Sequence, residues 1–220
     1  MPRPALHQIT NPRSWAVVIA PVRLEVVEAM RMIAPCSIAE IAAAIDRPAD
    51  TLYRHIEKLR KIGVVTEAGV RRSGRRFEQV FDLAGDDFRP HFRDTSPRTT
   101  NKMFGDATNS IAKILLRTAR DATAAEQIVF EPSRRNAFAK FEHAWLSQAE
   151  VEQLGEMFLA IKRFMDARKS RREGRLYLAA FAAVPVHRKR RARVARGDAK
   201  PAASVPAKTK PPARKRAKSS

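Results

Sequence analysis

Cysteine is almost missing from the sequence, since Cys36 is the only one among 220 residues. A single cysteine excludes an intrachain disulfide, and it excludes a thiolate cluster that would hold zinc or form a redox pair. The five histidines are scattered and include no i, i+4 pair of the kind that binds a metal. We therefore expect a cytoplasmic protein that has no metal site and no other cofactor.

Long hydrophobic runs and catalytic motifs are missing as well. The longest apolar run, residues 176–186, covers 11 positions, whereas a membrane-spanning helix needs about 20. The N-terminus lacks the pattern of a signal peptide. Glycine-rich phosphate loops, nucleophile elbows and paired carboxylate motifs do not occur. The sequence therefore predicts no membrane partner, no catalytic residue and no enzyme.

Acidic residues are outnumbered, with 23 Asp and Glu against 43 Lys and Arg and a net charge of +20. Residues 187–220 hold 13 basic residues and one acidic residue. Because this segment is rich in Ala, Pro and Ser and has no large apolar residue except valine, we expect a disordered basic tail. Residues 1–186 still carry 30 basic and 22 acidic residues. Both parts favour a polyanionic partner, with nucleic acid as the first candidate.

Hydrophobic residues make up 44% of the chain, which is enough for a core, and their spacing predicts helices in its first third. Pro12 and Pro21 are typical of the first turns of two helices. The second helix carries an apolar stripe at helical spacing and should end at Ala34-Pro35.

Two short helices follow, joined by a tight turn. Ser37 and Glu40 form a capping box ahead of the first one, which is amphipathic. Residues 46–48 form the turn, and a second helix is predicted at about 49–62 with Gly63 as its C-terminal stop. This order is typical of a helix-turn-helix.

A basic hairpin comes next. Residues 64–66 and 77–83 predict two strands, and alternation in the second strand places Phe77 and Phe81 on the same face. Ser-Gly at positions 73–74 marks the turn between them. Four arginines surround that turn: Arg71, Arg72, Arg75 and Arg76. Such a charged ribbon can enter a minor groove or follow a phosphate backbone.

The order of these elements predicts a winged helix-turn-helix over residues 13–83, whose second helix would lie in a major groove of DNA. Around this helix Leu52 faces the core, and Arg54 lies about 200° away from it. We expect ten residues to contact DNA: Asp50, Thr51, Tyr53, Arg54, Lys58, Lys61, Arg71, Arg72, Arg75 and Arg76.

Each of these side chains suits a particular contact. Arg54 can bind guanine through two hydrogen bonds, Thr51 can meet a base edge or a thymine methyl, and Asp50 can accept from cytosine. The remaining helix residues are expected on phosphates, where they fix the register of the protein on the duplex. These residues are Tyr53, Lys58 and Lys61.

Residues 37–42, 51–59 and 63–65 resemble the winged helix-turn-helix of the ArsR-like regulators. The resemblance extends over about 70 residues and implies a homodimer that binds an inverted repeat in double-stranded DNA of the bacterial nucleoid. Metal-sensing members of that family use cysteine pairs, which this chain lacks, so the resemblance does not extend to metal sensing. Pro48 also replaces the serine that usually caps the recognition helix.

The rest of the chain predicts an attached helix-strand-helix-strand module, so the expected fold class is α+β, mainly α. Residues 84–98, with several Gly and Pro, predict a linker. A long helix is expected at 99–125, with apolar residues close to a heptad. Its near-heptad positions are Phe104, Ile111, Leu115, Thr118 and Ala122.

A strand is predicted at 135–146, ending at Trp145, which we interpret as a core anchor. Ser147 and Glu150 form a second capping box. The helix behind this box has apolar residues at 3-4-3-4 spacing, namely Val151, Leu154, Phe158, Ile161 and Met165. Residues 175–186 predict a buried strand. Residues 99–186 would thus form a dimerisation or effector module, although the sequence identifies no small-molecule effector.

Two questions stay open at this stage. Either long helix could form the dimer seam, and we favour 99–125 because it follows the DNA-binding domain directly. The alternative function is that of a nucleoid or chromatin architectural protein with little sequence preference, since a winged helix followed by an Ala/Pro/Lys/Arg tail is also similar to the layout of linker histones.

Overall fold

Six helices and five short strands make up the regular structure of the residues described by the computed structural model, which are 3–93, 96–169, 171 and 173–186. The predicted tail at 187–220 lies outside them. Residues up to Phe181 belong to one unit, and those from Ala182 belong to a second. The elements in chain order are β1 His7–Ile9, α1 Pro12–Val18, α2 Pro21–Ile33, β2 Cys36–Ser37, α3 Ile38–Ala44, α4 Ala49–Lys61, β3 Val65–Ser73, β4 Arg76–Leu83, β5 Phe88–Pro90, α5 Pro97–Ala124 and α6 Gln148–Asp166.

Helices α1 and α2 begin where proline predicts them to begin. Asn11 caps α1, because its side-chain oxygen accepts a hydrogen bond from the backbone N–H of Arg13 at 2.8 Å. Pro21 occupies the first turn of α2, where the missing N–H costs nothing. The apolar stripe of α2 is fully buried at Val26 and Met30. Both predicted helices are confirmed.

The helix-turn-helix is also confirmed. Ser37 accepts from the backbone N–H of Glu40 at 3.3 Å and donates its own backbone N–H to the Glu40 carboxylate at 2.8 Å, so the capping box of α3 is complete. Asp46, in the turn, has a φ of 50°. Helix α4 ends before Gly63, whose φ of 74° suits a residue without a side chain.

A three-stranded sheet in the order β2-β4-β3 follows the helices. Its hairpin pairs Ser73 with Arg76, so the two turn residues are Gly74 and Arg75, one position later than predicted. Phe81 is 5% exposed, but Phe77, which alternation places on the same face, is 76% exposed. The hairpin extends beyond the core, so its residues become exposed toward the tip.

Strand β2 places the single cysteine in the sheet. Cys36 is paired with Phe81 in the register of the antiparallel strands and is fully buried. Burial, followed by the nearby charge of Glu40, raises the pKa of the Cys36 thiol to about 12. The thiol therefore stays protonated and packs as a small apolar side chain.

A second sheet lies inside the segment that the sequence predicts as a linker. Strand β5, within residues 84–98, pairs in parallel with β1. Ile9 and Phe88 bring one buried side chain each to the core. The two strands thus come from before and after the helix-turn-helix in the sequence, and both contribute to its core. A two-stranded sheet this short carries little hydrophobic signal, which is why the sequence pattern did not indicate it.

The main core is built from residues of the segment that runs from β1 to β5. It is formed by the inner faces of the first four helices together with β3 and β4. Its fully buried large side chains are Val26, Val27, Met30, Ile41, Leu52, Ile56, Leu59, Val64, Val65 and Leu83. Ile114 of helix α5 is also buried, at 7% exposed, but it lies outside this cluster. Packing at this density fixes α4 and the base of the hairpin as rigid supports for their outward side chains.

The second half of the chain departs most from the prediction. Residues 135–146 and 175–186 contain no strand within the described part of the chain, and Trp145 is 85% exposed rather than a core anchor. A strand needs a neighbour for its backbone hydrogen bonds, and neither segment belongs to one of the two sheets of the described residues. The run 176–186 is Ala-rich, and a short apolar run cannot be assigned by periodicity alone. The predicted helix-strand-helix-strand module is therefore two helices, α5 and α6, with irregular segments.

Candidate nucleic-acid interface

Helix α4 presents the predicted contact residues on the side opposite the core. Its inner face is anchored by Leu52, Ile56 and Leu59, which are at most 2% exposed. The residues predicted to face the groove are all exposed, and they are Asp50, Thr51, Tyr53, Arg54, Lys58 and Lys61. The helical period alone thus divided this helix correctly into a buried and an exposed face.

The basic residues of α4 differ in how far their charge is already compensated. Arg54 and Lys58 have no acidic partner among the described residues. Lys61 lies 3.8 Å from Glu57 in an i, i+4 pair, which is weak at that distance and exposure. Arg54 and Lys58 therefore carry the free positive charge of this face.

The hydroxyl group of Thr51 already makes a hydrogen bond within the protein. Its hydroxyl donates to the carbonyl oxygen of Pro48 at 2.7 Å. Pro48 has no side-chain capping group, so Thr51 bonds back over the start of the helix instead. The hydroxyl proton is thus used, whereas the oxygen can still accept a hydrogen bond and the methyl group is exposed. Thr51 suits a base amino group or a thymine methyl better than a base acceptor.

His55 lies at the boundary of the two faces, as its angular position predicts. Burial and the nearby charges of Arg23 and Arg54 lower the pKa of His55, so its ring is neutral at pH 7. Its Nδ1 atom is buried and has no hydrogen-bond partner within the described residues. We interpret His55 as a packed side chain beside the site.

The tip of the hairpin, residues 71–77, is exposed throughout. Arg71 is not free there, because its guanidinium lies 2.7 Å from the carboxylate of Glu40 and 4.0 Å from that of Glu78. The hydrogen bond to Glu40 raises the pKa of Arg71. The backbone N–H of Ser37 and then Arg71 lower the pKa of Glu40. Glu40 therefore caps α3 and holds the hairpin against it.

The other three wing arginines are less constrained. The Nε of Arg72 donates to the carbonyl oxygen of Gly74 at 3.1 Å, which directs its side chain across the turn. Arg75 and Arg76 have neither an ion pair nor a side-chain hydrogen bond in the part of the chain that the structure describes. The wing thus offers two uncompensated charges at its tip, with Arg72 beside them and Arg71 serving as an anchor.

Sequence reasoning missed two features of this surface. Arg60 binds Glu57 at 2.8 Å and also contacts Glu67, so it links α4 to β3. Phe77 and Tyr53 line one groove of about 360 Å³ between the hairpin and α4. The i, i+3 spacing of Glu57 and Arg60 was a signal for their ion pair, whereas no pattern in the sequence indicated that Phe77 would line a groove with Tyr53.

A buried glutamate, Glu25, forms ion pairs with two arginines, Arg47 and Arg117. Glu25 of α2 has a side chain that is only 8% exposed. It accepts two hydrogen bonds from Arg47, at 3.2 and 3.0 Å, and one from Arg117 of α5. Glu25 therefore joins three elements, namely α2, the turn of the helix-turn-helix and the long helix α5.

The described ranges contain no group of three or more His, Cys, Asp or Glu side chains that could hold a metal ion. None of the helices described is both long and apolar enough to cross a membrane.

Residues 18–68 match a family model described as a helix-turn-helix domain. The match begins at the last residue of α1 and ends inside β3, so it includes α2, the helix-turn-helix and the start of the hairpin. No curated protein matches the chain. The chain thus carries a helix-turn-helix domain near its N-terminus, and residues 69–220 lie beyond the matched segment.

Proposed function

We propose that this protein is a transcriptional regulator that binds specific sequences in duplex DNA as a homodimer. Helix α4 lies in the major groove, and the wing contacts the backbone or the adjacent minor groove. One observation carries the proposal. Four basic side chains without an acidic partner among the described residues, Arg54, Lys58, Arg75 and Arg76, lie on the exposed side of a helix-turn-helix and at the tip of its hairpin.

Specificity is assigned to the first half of α4. Arg54 reads guanine, Thr51 accepts from a base amino group or touches a thymine methyl, and Asp50 accepts from cytosine. Lys58, Lys61 and the Tyr53 hydroxyl hold phosphates further along the helix. On the wing, Arg72, Arg75 and Arg76 hold the backbone, while Arg71 stays with Glu40.

The homodimer is supported by the apolar surface of the two long helices. Helix α5 buries Ile114 but leaves Phe104, Ile111 and Leu115 between 38% and 48% exposed. Helix α6 has no buried residue at all, although its apolar stripe is regular. Such a surface is costly in water and is typical of an interface between subunits. We retain α5 as the dimer seam because its exposed near-heptad positions continue directly from the DNA-binding unit.

The test of sequence specificity is a selection from random duplexes with the full chain. A consensus with two-fold symmetry is expected, because a symmetric dimer places two copies of α4 on the DNA. Binding to the selected duplex is then compared with binding to random DNA over a salt series, for the full chain and for residues 1–186.

The same comparison separates this proposal from an architectural role. Removal of the 13 basic residues of the tail should lower both affinities, while the ratio between selected and random DNA stays equal or rises. A selection without a consensus, or a truncated chain that binds all duplexes equally, would indicate an architectural protein instead. Loss of all binding upon truncation would assign DNA binding to the tail.

A further inference from the structure

The groove between α4 and the hairpin combines two aromatic rings with basic side chains. Tyr53 on α4 and Phe77 on β4 both line it and are 62% and 76% exposed. Arg60 and Arg76 also line it, and its volume is about 360 Å³. Removing an aromatic ring from water is favourable, and a ring that is three-quarters exposed has most of that stabilisation still to gain from a bound partner. This pair of exposed rings therefore indicates a binding surface.

The position of the groove restricts what can cover it. If α4 lies in a major groove and the wing in the neighbouring minor groove, exactly one sugar-phosphate strand separates the two elements. That strand has to pass through the space between α4 and the hairpin. The groove lined by Tyr53 and Phe77 occupies this space.

The charges along the groove suit such a strand. Two carboxylates line it, Glu57 and Glu78, but Glu57 is bound by Arg60 at 2.8 Å and Glu78 lies 4.0 Å from Arg71. Arg76 has no acidic partner within the described ranges and is available to a phosphate. Because Arg60 also contacts Glu67 on β3, it holds the helix and the hairpin at a fixed separation.

We propose that this groove is a binding site for one deoxyribose-phosphate strand, in which the rings of Tyr53 and Phe77 pack against the sugars and Arg76 holds the phosphate. The proposal rests on the proposed function, since it takes duplex DNA as the ligand. It assigns a role to Phe77, and it replaces the hydroxyl-phosphate contact of Tyr53 by a contact of its ring.

The chemistry of the sugar makes this groove selective. The C2′ position of deoxyribose carries only hydrogens and can lie against a ring without losing a hydrogen bond to water. A 2′-hydroxyl or 2′-O-methyl group at the same place would be desolvated or would clash, and the 2′ position is what distinguishes RNA from DNA. The groove therefore favours deoxyribose at the one or two nucleotides that it holds.

The experiment measures the affinity of the full chain for its selected duplex, in which one nucleotide at a time carries a 2′-O-methyl group. Native protein should lose affinity at one or two adjacent nucleotides of a single strand in each half-site. Phe77→Ala should bind the unmodified duplex about tenfold more weakly, the order expected when a phenyl ring loses roughly half of its buried contact. In Phe77→Ala the penalty of the 2′-O-methyl group should disappear at those nucleotides and nowhere else.

Two controls make the result specific. Val70→Ala removes an exposed side chain of the same hairpin that lines a different depression, and it should bind like native protein. Tyr53→Phe keeps the ring and should bind within about twofold of native protein, whereas Tyr53→Ala should resemble Phe77→Ala.

Each other outcome overturns the proposal in a recognisable way. If Phe77→Ala weakens binding no more than Val70→Ala, or if the 2′-O-methyl penalty persists in Phe77→Ala, the sugar contact is wrong while the proposed function stands. If Tyr53→Phe binds as weakly as Tyr53→Ala, the hydroxyl rather than the ring is the contact. If native protein binds no duplex, the proposed function and this inference fail together.

Discussion

Helix α3 of the winged helix-turn-helix and helix α6 begin with the same capping box, but the two regions differ in how many of their apolar side chains are buried. Both α3 and α6 have a complete capping box, formed by Ser37 with Glu40 and by Ser147 with Glu150. Helices α2 to α4 place their apolar residues in a common core, whereas none of the 19 residues of α6 is buried. Local signals thus define a helix, but only a neighbouring surface turns its apolar stripe into a core. The apolar stripe of α6 is only partly covered: Leu154, Phe158, Ile161 and Met165 are of intermediate exposure, and the ring of Phe158 lies 5.7 Å from that of Phe181.

The largest effect should come from the core of the first region. Leu59→Ala removes a side chain that is fully buried beneath α4, and it should lower the free energy of unfolding by about 4 kcal/mol. Met157→Ala, on α6, truncates a side chain that is 53% exposed and should change stability by less than about 0.5 kcal/mol. Urea denaturation of both variants measures the difference. Equal destabilisation would mean that α6 is packed as firmly as the core.

The buried charge that connects the helix-turn-helix to α5 should have the next largest effect. Glu25→Ala leaves Arg47 and Arg117 without their shared carboxylate, and it should lower the free energy of unfolding by about 2 to 3 kcal/mol. The expected loss of unfolding free energy is smaller than for a fully buried ion-pair cluster, because the side chain of Arg117 is 41% exposed to solvent. The matched control is Glu28→Ala, whose carboxylate is 45% exposed and should contribute less than about 1 kcal/mol. Thermal unfolding of both variants measures the two losses of stability. Equal losses for Glu25→Ala and Glu28→Ala would contradict the role of Glu25.

A charge on the exposed face of α5 should break the dimer and leave the first region folded. Leu115→Glu places a carboxylate at a side chain that is 42% exposed, and it should weaken dimerisation about 30-fold, because an interface would bury that charge. Sedimentation of the full chain at micromolar concentration reports the subunit number. Lys113→Glu, on the same helix and also exposed, is the control that should remain dimeric. A native chain that sediments as a monomer would contradict the dimer itself.

The smallest effect should be a dependence of stability on pH through His55. Burial lowers the pKa of His55 in the folded protein below its ordinary value of 6.5, so the unfolded chain binds the proton more readily. Stability from this group is complete above about pH 6.5 and decreases as the pH falls through that value toward the folded pKa. Urea unfolding at several pH values, for native protein and His55→Gln, isolates this contribution. A pH dependence that is unchanged in His55→Gln would assign it to other groups.

The sequence predicted the first region well because its signals act within a few residues. The capping box at Ser37, the stop at Gly63 and the helical period of Leu52, Ile56 and Leu59 each depend on neighbouring residues alone. The same period placed Arg54 outward. These features needed no knowledge of the rest of the fold.

The remaining features depend on residues far apart in the chain. The pairing of β1 with β5 joins two three-residue segments that carry no pattern of their own. The ion pair of Arg71 with Glu40 joins a strand to a distant helix, so the sequence could count Arg71 only as free charge. Trp145 was predicted to anchor a core but is 85% exposed, and the 76% exposure of Phe77 depends on how far the hairpin extends beyond the core. Burial, pairing and charge compensation are properties of the folded arrangement.

Base substitution in the selected duplex separates the two roles proposed for the site, namely base reading by α4 and backbone binding by the wing. The affinities of native protein, Arg54→Ala and Arg75→Ala are measured for every single-base variant of the site at one fixed salt concentration. Arg54→Ala should lose about 1 to 3 kcal/mol on the selected duplex and become indifferent to one base pair in each half-site. Arg75→Ala should weaken binding to all duplexes alike, and Arg120→Ala, an exposed arginine of α5, should change neither. If Arg54→Ala keeps the full base preference of native protein, α4 is not the reading element and the account is wrong.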